Sequence, residues 1–186
     1  MLTIFVSRRK QRIITADGSR MKVRRAYIRR GKKLRFLQEP ESFGLLSGVR
    51  IVVKEWFGLK RLPRHEKIEK GIIQFLQQYH AKQNIKFDCY AFANLVHGVE
   101  AHPCCYLHRH WSTRLYNGRV EIGETLFLIT PGQTLENFYH AAIYIGRGLY
   151  VSVYGAGGDL EVATFRDMKK FYKAKKALLA TPKAIH

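Results

Sequence analysis

Hydrophobic residues recur at helical spacing in two stretches of the chain and at strand spacing in most of the others. After Pro63, Ile68, Ile72, Leu76 and Tyr79 follow at three- and four-residue steps, with Ile73 beside them. Lys67, Lys70, Gln74, Gln77 and Gln78 take the opposite face. That period predicts an amphipathic core helix over about 65–80. A second, shorter helix is predicted where Asp88, a helix-starting residue type, precedes Phe92, Leu95 and Val96 at helical spacing and Gly98 follows as a stop. Cys89 falls in its first turn.

Strand patterns occupy Leu2–Val6, Val49–Val53 (continuing towards Trp56-Phe57), Glu124–Thr130, Tyr139–Ile145, Leu149–Tyr154 and Leu160–Ala163. Gly146-Arg147-Gly148 is a tight-turn signal that joins two of these into a hairpin. Ile13-Ile14 and the weak alternation from Met21 to Ile28, separated by the Asp17-Gly18 turn, read as a basic hairpin. Thr164-x-x-Asp167 has the form of a capping box with Asp in place of Glu, opening a closing helix over about Phe165–Ala180 that Pro182 ends. Strands in succession, with helices before and after, predict an α+β fold with an antiparallel sheet. Pro40, Gly44 and Gly48 mark a loop, so the expected division is a basic N-terminal extension, 1–48, and a second unit, 49–186.

Composition sharpens this picture in three places. A chain of 186 residues with 46% hydrophobic content can bury one domain, or one domain plus an arm. Its apolar runs are all too short to cross a membrane. The first residues place their apolar run before their charges, the reverse of a secretory signal, which predicts a cytoplasmic protein or one exported without a classical signal peptide. Three cysteines, Cys89, Cys104 and Cys105, give no disulfide framework and suit a reducing compartment. The formal net charge is +19, and residues 1–35 hold thirteen Lys or Arg against one acid, Asp17. Such a surface attracts a polyanion, nucleic acid or anionic lipid, or an acidic protein; a solvated surface with no dedicated partner reads the same. Arginines interleaved with Tyr27 and Phe36 suit phosphates and bases, but no known nucleic-acid motif is present.

Cys89 carries the most specific chemistry. A thiol in the first turn of a helix lies near unpaired backbone N–H groups and the positive end of the helix dipole, and both favour the nucleophilic thiolate. The plainer alternative is a small buried core residue. His140 opens a strand, on the face shared with Ala142 and Tyr144. A cysteine at a helix start and a later histidine on a strand are the parts of Cys/His catalysis, provided the fold brings them together and a third group orients the ring. The stretch His102-Pro103-Cys104-Cys105-Tyr106-Leu107-His108-Arg109-His110 invites a metal reading, but adjacent cysteines do not easily share one tetrahedral ion and no C-x-x-C pair occurs. No metal or cofactor is expected.

Asp88-Cys89 at a helix start resembles the Asp-Cys-Ser-Gly motif of the NlpC/P60 cysteine peptidases. Gly123-Glu124-Thr125-Leu126-Phe127-Leu128 resembles their Gly-Asp-Leu-Val-Phe-Phe strand, and His140-Ala141-Ala142-Ile143-Tyr144-Ile145-Gly146-Arg147-Gly148 is similar to their His-Val-Gly-Ile-Tyr-Ile-Gly-Asn-Gly hairpin. The resemblance covers about residues 65–180, and the hairpin is its most specific part. It implies a papain-like core, a cysteine helix packed on a small antiparallel sheet. It implies Cys89 as nucleophile and His140 as base, acting by acyl transfer on a peptide or other amide. The third family residue falls on Ser152, where His, Asn or Gln is usual, and Tyr90 stands where Ser is usual. Two function classes follow: a thiol peptidase or amidase, and a non-catalytic papain-like binding module with a basic nucleic-acid or lipid surface.

Overall fold

The computed structural model describes residues 3–7, 10–14, 20–24, 26–30, 33–36, 59–61, 65–80, 88–98, 111–132, 140–154 and 160–182. The strand expected at 49–53, the loop and division near residue 48, the Cys104-Cys105 stretch and the Gly155–Gly158 loop lie outside them. Among the described residues, no helix is long and apolar enough to cross a membrane.

The basic N-terminal stretch forms strands β1 (Thr3–Ser7), β2 (Gln11–Ile14), β3 (Arg20–Val23), β4 (Ala26–Arg30) and β5 (Lys33–Phe36), and β6 (Leu59–Arg61) joins them. One four-stranded sheet runs β5-β4-β1-β6, and β2 pairs with β3 as a hairpin, but the expected second arm, Met21–Ile28, is divided: its latter part joins the four-stranded sheet as β4. In β3 burial alternates: Met21 and Val23 face the core, while Arg20 and Lys22 face solvent. Arg24, just after β3, exchanges backbone hydrogen bonds with Val162 of a later strand, at 2.6 and 3.3 Å.

Helix α1 (Glu66–His80) begins with Glu66 and Glu69 in its first turn, where carboxylates suit the dipole. It buries Ile68, Ile72 and Phe75. Helix α2 (Cys89–His97) ends at Gly98, which adopts the left-handed φ of 69° and returns its N–H to the Asn94 and Leu95 carbonyls. The two helices meet closely at Gly71. A Cβ there would stand 2.5 Å from Val96 Cγ2 and 2.6 Å from Val96 Cα, so only glycine allows this approach. Phe75 meets Phe92 edge to face at 5.6 Å.

The main sheet is six-stranded and wholly antiparallel. It is built from β7 (Trp111–Leu115), β8 (Thr125–Ile129), β9 (His140–Gly146), β10 (Leu149–Val153), β11 (Leu160–Thr164) and β12 (Lys176–Pro182). Their order is β11-β10-β9-β8-β12-β7. With its helices it makes the α+β fold that the pattern predicts. The β9–β10 turn places Arg147 and Gly148 at φ 56° and 72°, the two-residue loop whose twist matches the strands. Strands β8 and β10 are buried throughout because both faces are covered. On one face Phe127, Ile129, Ala141, Ile143, Val151 and Val153 pack with α1 and α2. On the other, Leu126, Leu128, Ala142, Tyr150 and Tyr154 pack with β3 and with Met168 of α3 (Phe165–Phe171).

Helix α3 corrects an expectation. Thr164 caps it as predicted, its Oγ1 accepting the Asp167 N–H at 3.2 Å and donating to Asp167 Oδ2 at 2.7 Å. The helix does not run on to Ala180; it stops at Phe171, and Lys173 turns to a φ of 51°. The run Ala177-Leu178-Leu179-Ala180 then pairs as a strand with β8 on one side and β7 on the other. Inside a sheet it buries both faces and satisfies its amides on both edges, which a helix end at that place does not offer.

Candidate active site

Cys89 is the first residue of α2, and Asp88 is its cap. Asp88 Oδ1 accepts the Tyr90 N–H at 3.0 Å and the Ala91 N–H at 2.8 Å, holding the helix start in the form the sequence indicates. The capping carboxylate also offsets part of the positive dipole that the thiol meets. Cys89 is 8% exposed and belongs to the core that α2 forms with Phe127, Ala141 and Ile143.

His140 is the first residue of β9 and is 2% exposed. Strand alternation puts it on the face of Ala142 and Tyr144, where β3 and α3 pack. Its ring stacks on Tyr172 at 4.3 Å and 23°, and on Tyr154 at 5.0 Å and 21°. Nε2 is buried and has no hydrogen-bond partner. Burial pushes the pKa from 6.5 down to about 3, so the imidazole is neutral at neutral pH.

Tyr154 stands beside His140. Val151 pairs with Ile143 across β9 and β10, and continuing that register sets Tyr154 opposite His140, as the ring contact bears out. Its hydroxyl is buried without a hydrogen-bond partner. Burial first, then the charges of Glu161, Cys89 and Asp167, hold the phenol well above its ordinary pKa, so it stays protonated. Tyr154 therefore touches the His140 ring and couples electrostatically to Cys89. Cys89 lies in the core on the α1–α2 side of the sheet and His140 on the side packed by β3 and α3, and Nε2 makes no hydrogen bond to the thiol.

Ser152 lies on the same face as His140 and is fully buried. Its Oγ donates to the Ala141 carbonyl at 2.5 Å and stands 3.4 Å from the Val153 carbonyl. The hydroxyl is thus engaged by the strand next to His140, not by Nε2 of the ring.

A second histidine, His97, closes the far end of α2. Its Nε2 meets Thr125 Oγ1 at 2.9 Å and its ring stands edge-on to Trp111 at 4.8 Å. Burial, then the charges of Lys67 and His65, push its pKa down to about 4. A nine-residue helix separates it from Cys89 by about 12 Å, so it takes no part in the cysteine site. Among the described residues, no group of three or more His, Cys, Asp or Glu side chains is arranged to hold a metal ion.

A solved structure of an NlpC/P60 family protein from Bacillus cereus is similar to this chain, at a TM-score of 0.38 and 10% sequence identity. The similarity covers 95% of this chain, which spans 62% of that one. No family model matches the chain, and no curated protein matches it.

Sequence reasoning missed Tyr154 and Tyr172, the two rings that hold His140. The signal for Tyr154 was present in the hairpin: counting outwards from the Gly146-Arg147-Gly148 turn leads to it. Tyr172 follows a helix end that the pattern placed eight or nine residues later, and only the fold reveals it.

Proposed function

We propose that this chain is a thiol peptidase or amidase in which Cys89 is the nucleophile and His140 the general base. One observation carries the reading. The fold holds a cysteine at a capped helix start and a buried, neutral imidazole whose Nε2 is unsatisfied. Buried polar atoms without partners are costly, and a reacting centre is one place where that cost is retained.

The steps follow from the atoms. The reading requires His140 to reach Cys89 Sγ and take its proton, after which the thiolate attacks the carbonyl carbon of a peptide or acyl-amide. The backbone N–H of Cys89 donates to the resulting oxyanion. When the carbon–nitrogen bond breaks, the departing amine receives the proton from His140, leaving an acyl-thioester on Cys89. Water attacks that thioester, with His140 again taking the proton; the carbon–sulfur bond breaks, the carboxylic acid leaves, and Cys89 regains the proton from His140. Burial keeps His140 in the neutral form that accepts a proton. It also makes the imidazolium expensive unless the thiolate forms beside it, so the pair ionises together. In this reading Tyr154 and Ser152 are positioning residues: Tyr154 fixes the ring by stacking, and Ser152 fixes the Ala141 carbonyl beside it.

A second reading, a non-catalytic papain-like binding module, is favoured by the packing of His140 between two tyrosine rings, which is how a structural histidine sits. Brief treatment of the folded protein with iodoacetamide, followed by peptide mass spectrometry, separates the two. Hydrolase chemistry predicts label on Cys89 before Cys104 or Cys105. An unlabelled Cys89 beside labelled Cys104 and Cys105 identifies a structural thiol and the binding module.

A further inference from the structure

We infer that a cleft between the β2–β3 hairpin and α3 binds single-stranded nucleic acid along its phosphates. The cleft encloses about 720 Å³ and is lined by Lys10, Arg12, Arg20, Lys22, Arg166 and Lys170. The N-terminal stretch supplies four of these cations and α3 supplies two, so the site belongs to both parts of the chain and not to the basic stretch alone. Asp167 is the one acidic residue among the described lining. Lys10 pairs with it. Burial alone would raise the Asp167 pKa, but the bonds from Lys10 and Thr164, with the charges of Lys10 and Lys22, hold it below the ordinary value.

Charge placement within each wall points to an absent anion. Arg12 and Lys22 stand directly opposite each other across β2 and β3. Like charges at such positions destabilise a strand pair, and opposite charges would stabilise it. Arg166 and Lys170 are four residues apart on α3, the helical spacing at which like charges again repel. Two elements from distant parts of the sequence thus accept internal repulsion and turn it to one cleft. Phosphates between the walls relieve both. Arginines at three of the six positions offer the planar fork that phosphate accepts in two bonds.

The cleft's shape and floor select the kind of polyanion. A bilayer surface is flat and calls for apolar side chains that insert. Among the described residues, the exposed large hydrophobic side chain is Leu115, on the edge strand at the opposite end of the sheet order from β11. A concave cleft with cations on two walls instead follows a threaded backbone. Phe171, half-buried in its lining, supplies an aromatic ring on which a base can stack. The inference does not rest on the chemistry of Cys89.

The test uses the whole chain and a fluorescein-labelled ten-nucleotide oligothymidylate, read by anisotropy against salt. Four or more phosphates in the cleft predict a log–log salt slope of about −3, since each single-strand phosphate contact contributes ~0.7. Arg12→Glu/Lys22→Glu and Arg166→Glu/Lys170→Glu are expected to weaken binding by at least about tenfold each. Lys67→Glu/Lys70→Glu makes the same charge change on exposed positions of α1, which packs on the other face of the sheet, and is expected to cost under about threefold. Circular dichroism confirms that each variant is folded. Equal losses in all three double variants would show attraction by net charge alone and overturn the site. So would binding to vesicles containing phosphatidylserine, or to polyglutamate, in place of the oligonucleotide. Phe171→Leu, expected to weaken oligothymidylate about fivefold and leave inorganic polyphosphate unchanged, provides a further check; equal effects on both ligands would remove the stacked base.

Discussion

The two faces of the central sheet are built from the same strands and solve different problems. On the face covered by α1 and α2, side chains from alternate positions of β8, β9 and β10 meet an almost wholly apolar helix, and Gly71 lets the two helices close on each other. On the face covered by β3 and α3, the same strands present Tyr150, Tyr154 and His140, with buried polar atoms that lack partners and a cationic rim above them. One residue step along β9 separates Ala141 from His140, and so separates the two environments. The first face supplies stability through close packing. The second holds His140 and Tyr154, while Cys89 and His97 belong to α2 on the first. Buried polar atoms without partners lie on both, Asn94 Oδ1 and Trp111 Nε1 beside α2, and His140 Nε2 and the Tyr154 hydroxyl on the second face.

The contrast can be broken most severely from the apolar side. Phe92 is fully buried against Phe75. Phe92→Ala is expected to cost about 3–5 kcal/mol by chemical denaturation, because it removes a ring and leaves a cavity that two packed helices cannot fill. A loss under about 1 kcal/mol would mean that this face is not closely packed.

Acid is the next largest perturbation, and it acts through histidine. His140 and His97 have folded-state pKa values of about 3 and about 4, against an ordinary 6.5. Below pH 6.5 the unfolded chain takes up protons that the folded chain refuses, so stability falls as the pH drops through the window from 6.5 towards 3 and 4. At pH 5 each neutral histidine costs ~2 kcal/mol relative to neutral pH. Denaturant midpoints at pH 7 and pH 5 check this. His140→Gln is expected to recover about half of the difference. A midpoint independent of pH would contradict the buried neutral rings.

The smallest expected change is also specific to the second face. Tyr154→Phe removes a buried hydroxyl without a partner and keeps the stacked ring, so stability is expected to stay level or rise by up to about 1 kcal/mol. In the proposed mechanism the ring positions His140, so the phenylalanine variant is expected to retain Cys89 alkylation at a rate within about threefold, while Tyr154→Ala loses it. A destabilised phenylalanine variant would reveal a bond from the hydroxyl and remove Tyr154 from the set of unsatisfied groups.

The apolar face was the more legible in sequence. The Asp88–Gly98 helix carries its own start and stop, α1 shows its period, and the β9–β10 hairpin declares its turn. The second face depends on contacts between distant segments. Leu178-Leu179 reads equally as a helix end or a buried strand, because a short apolar run has no period of its own, and its place between β8 and β7 decides the matter. Trp111–Leu115 was missed because an edge strand with four exposed positions shows no apolar alternation. The basic excess of residues 1–35 was plain, but nothing local links it to Arg166 and Lys170, which reach the same cleft only once α3 is short and β3 packs beneath it. Ser152 was reached by counting along the hairpin, and its hydroxyl bond to Ala141 could not be read from residue type.

The central claim is the proposal that Cys89 and His140 act as one ionising pair. The rate of Cys89 alkylation by iodoacetamide, measured by intact-protein mass spectrometry from pH 5 to pH 10 in the wild type and in His140→Gln, tests it most directly. The account predicts a rate that levels off at neutral pH in the wild type. In His140→Gln it falls at least about tenfold at pH 7 and then rises with pH as an isolated thiol does. Matching profiles in the two proteins, with both kept folded, would show that His140 does not take the cysteine proton and would contradict the account.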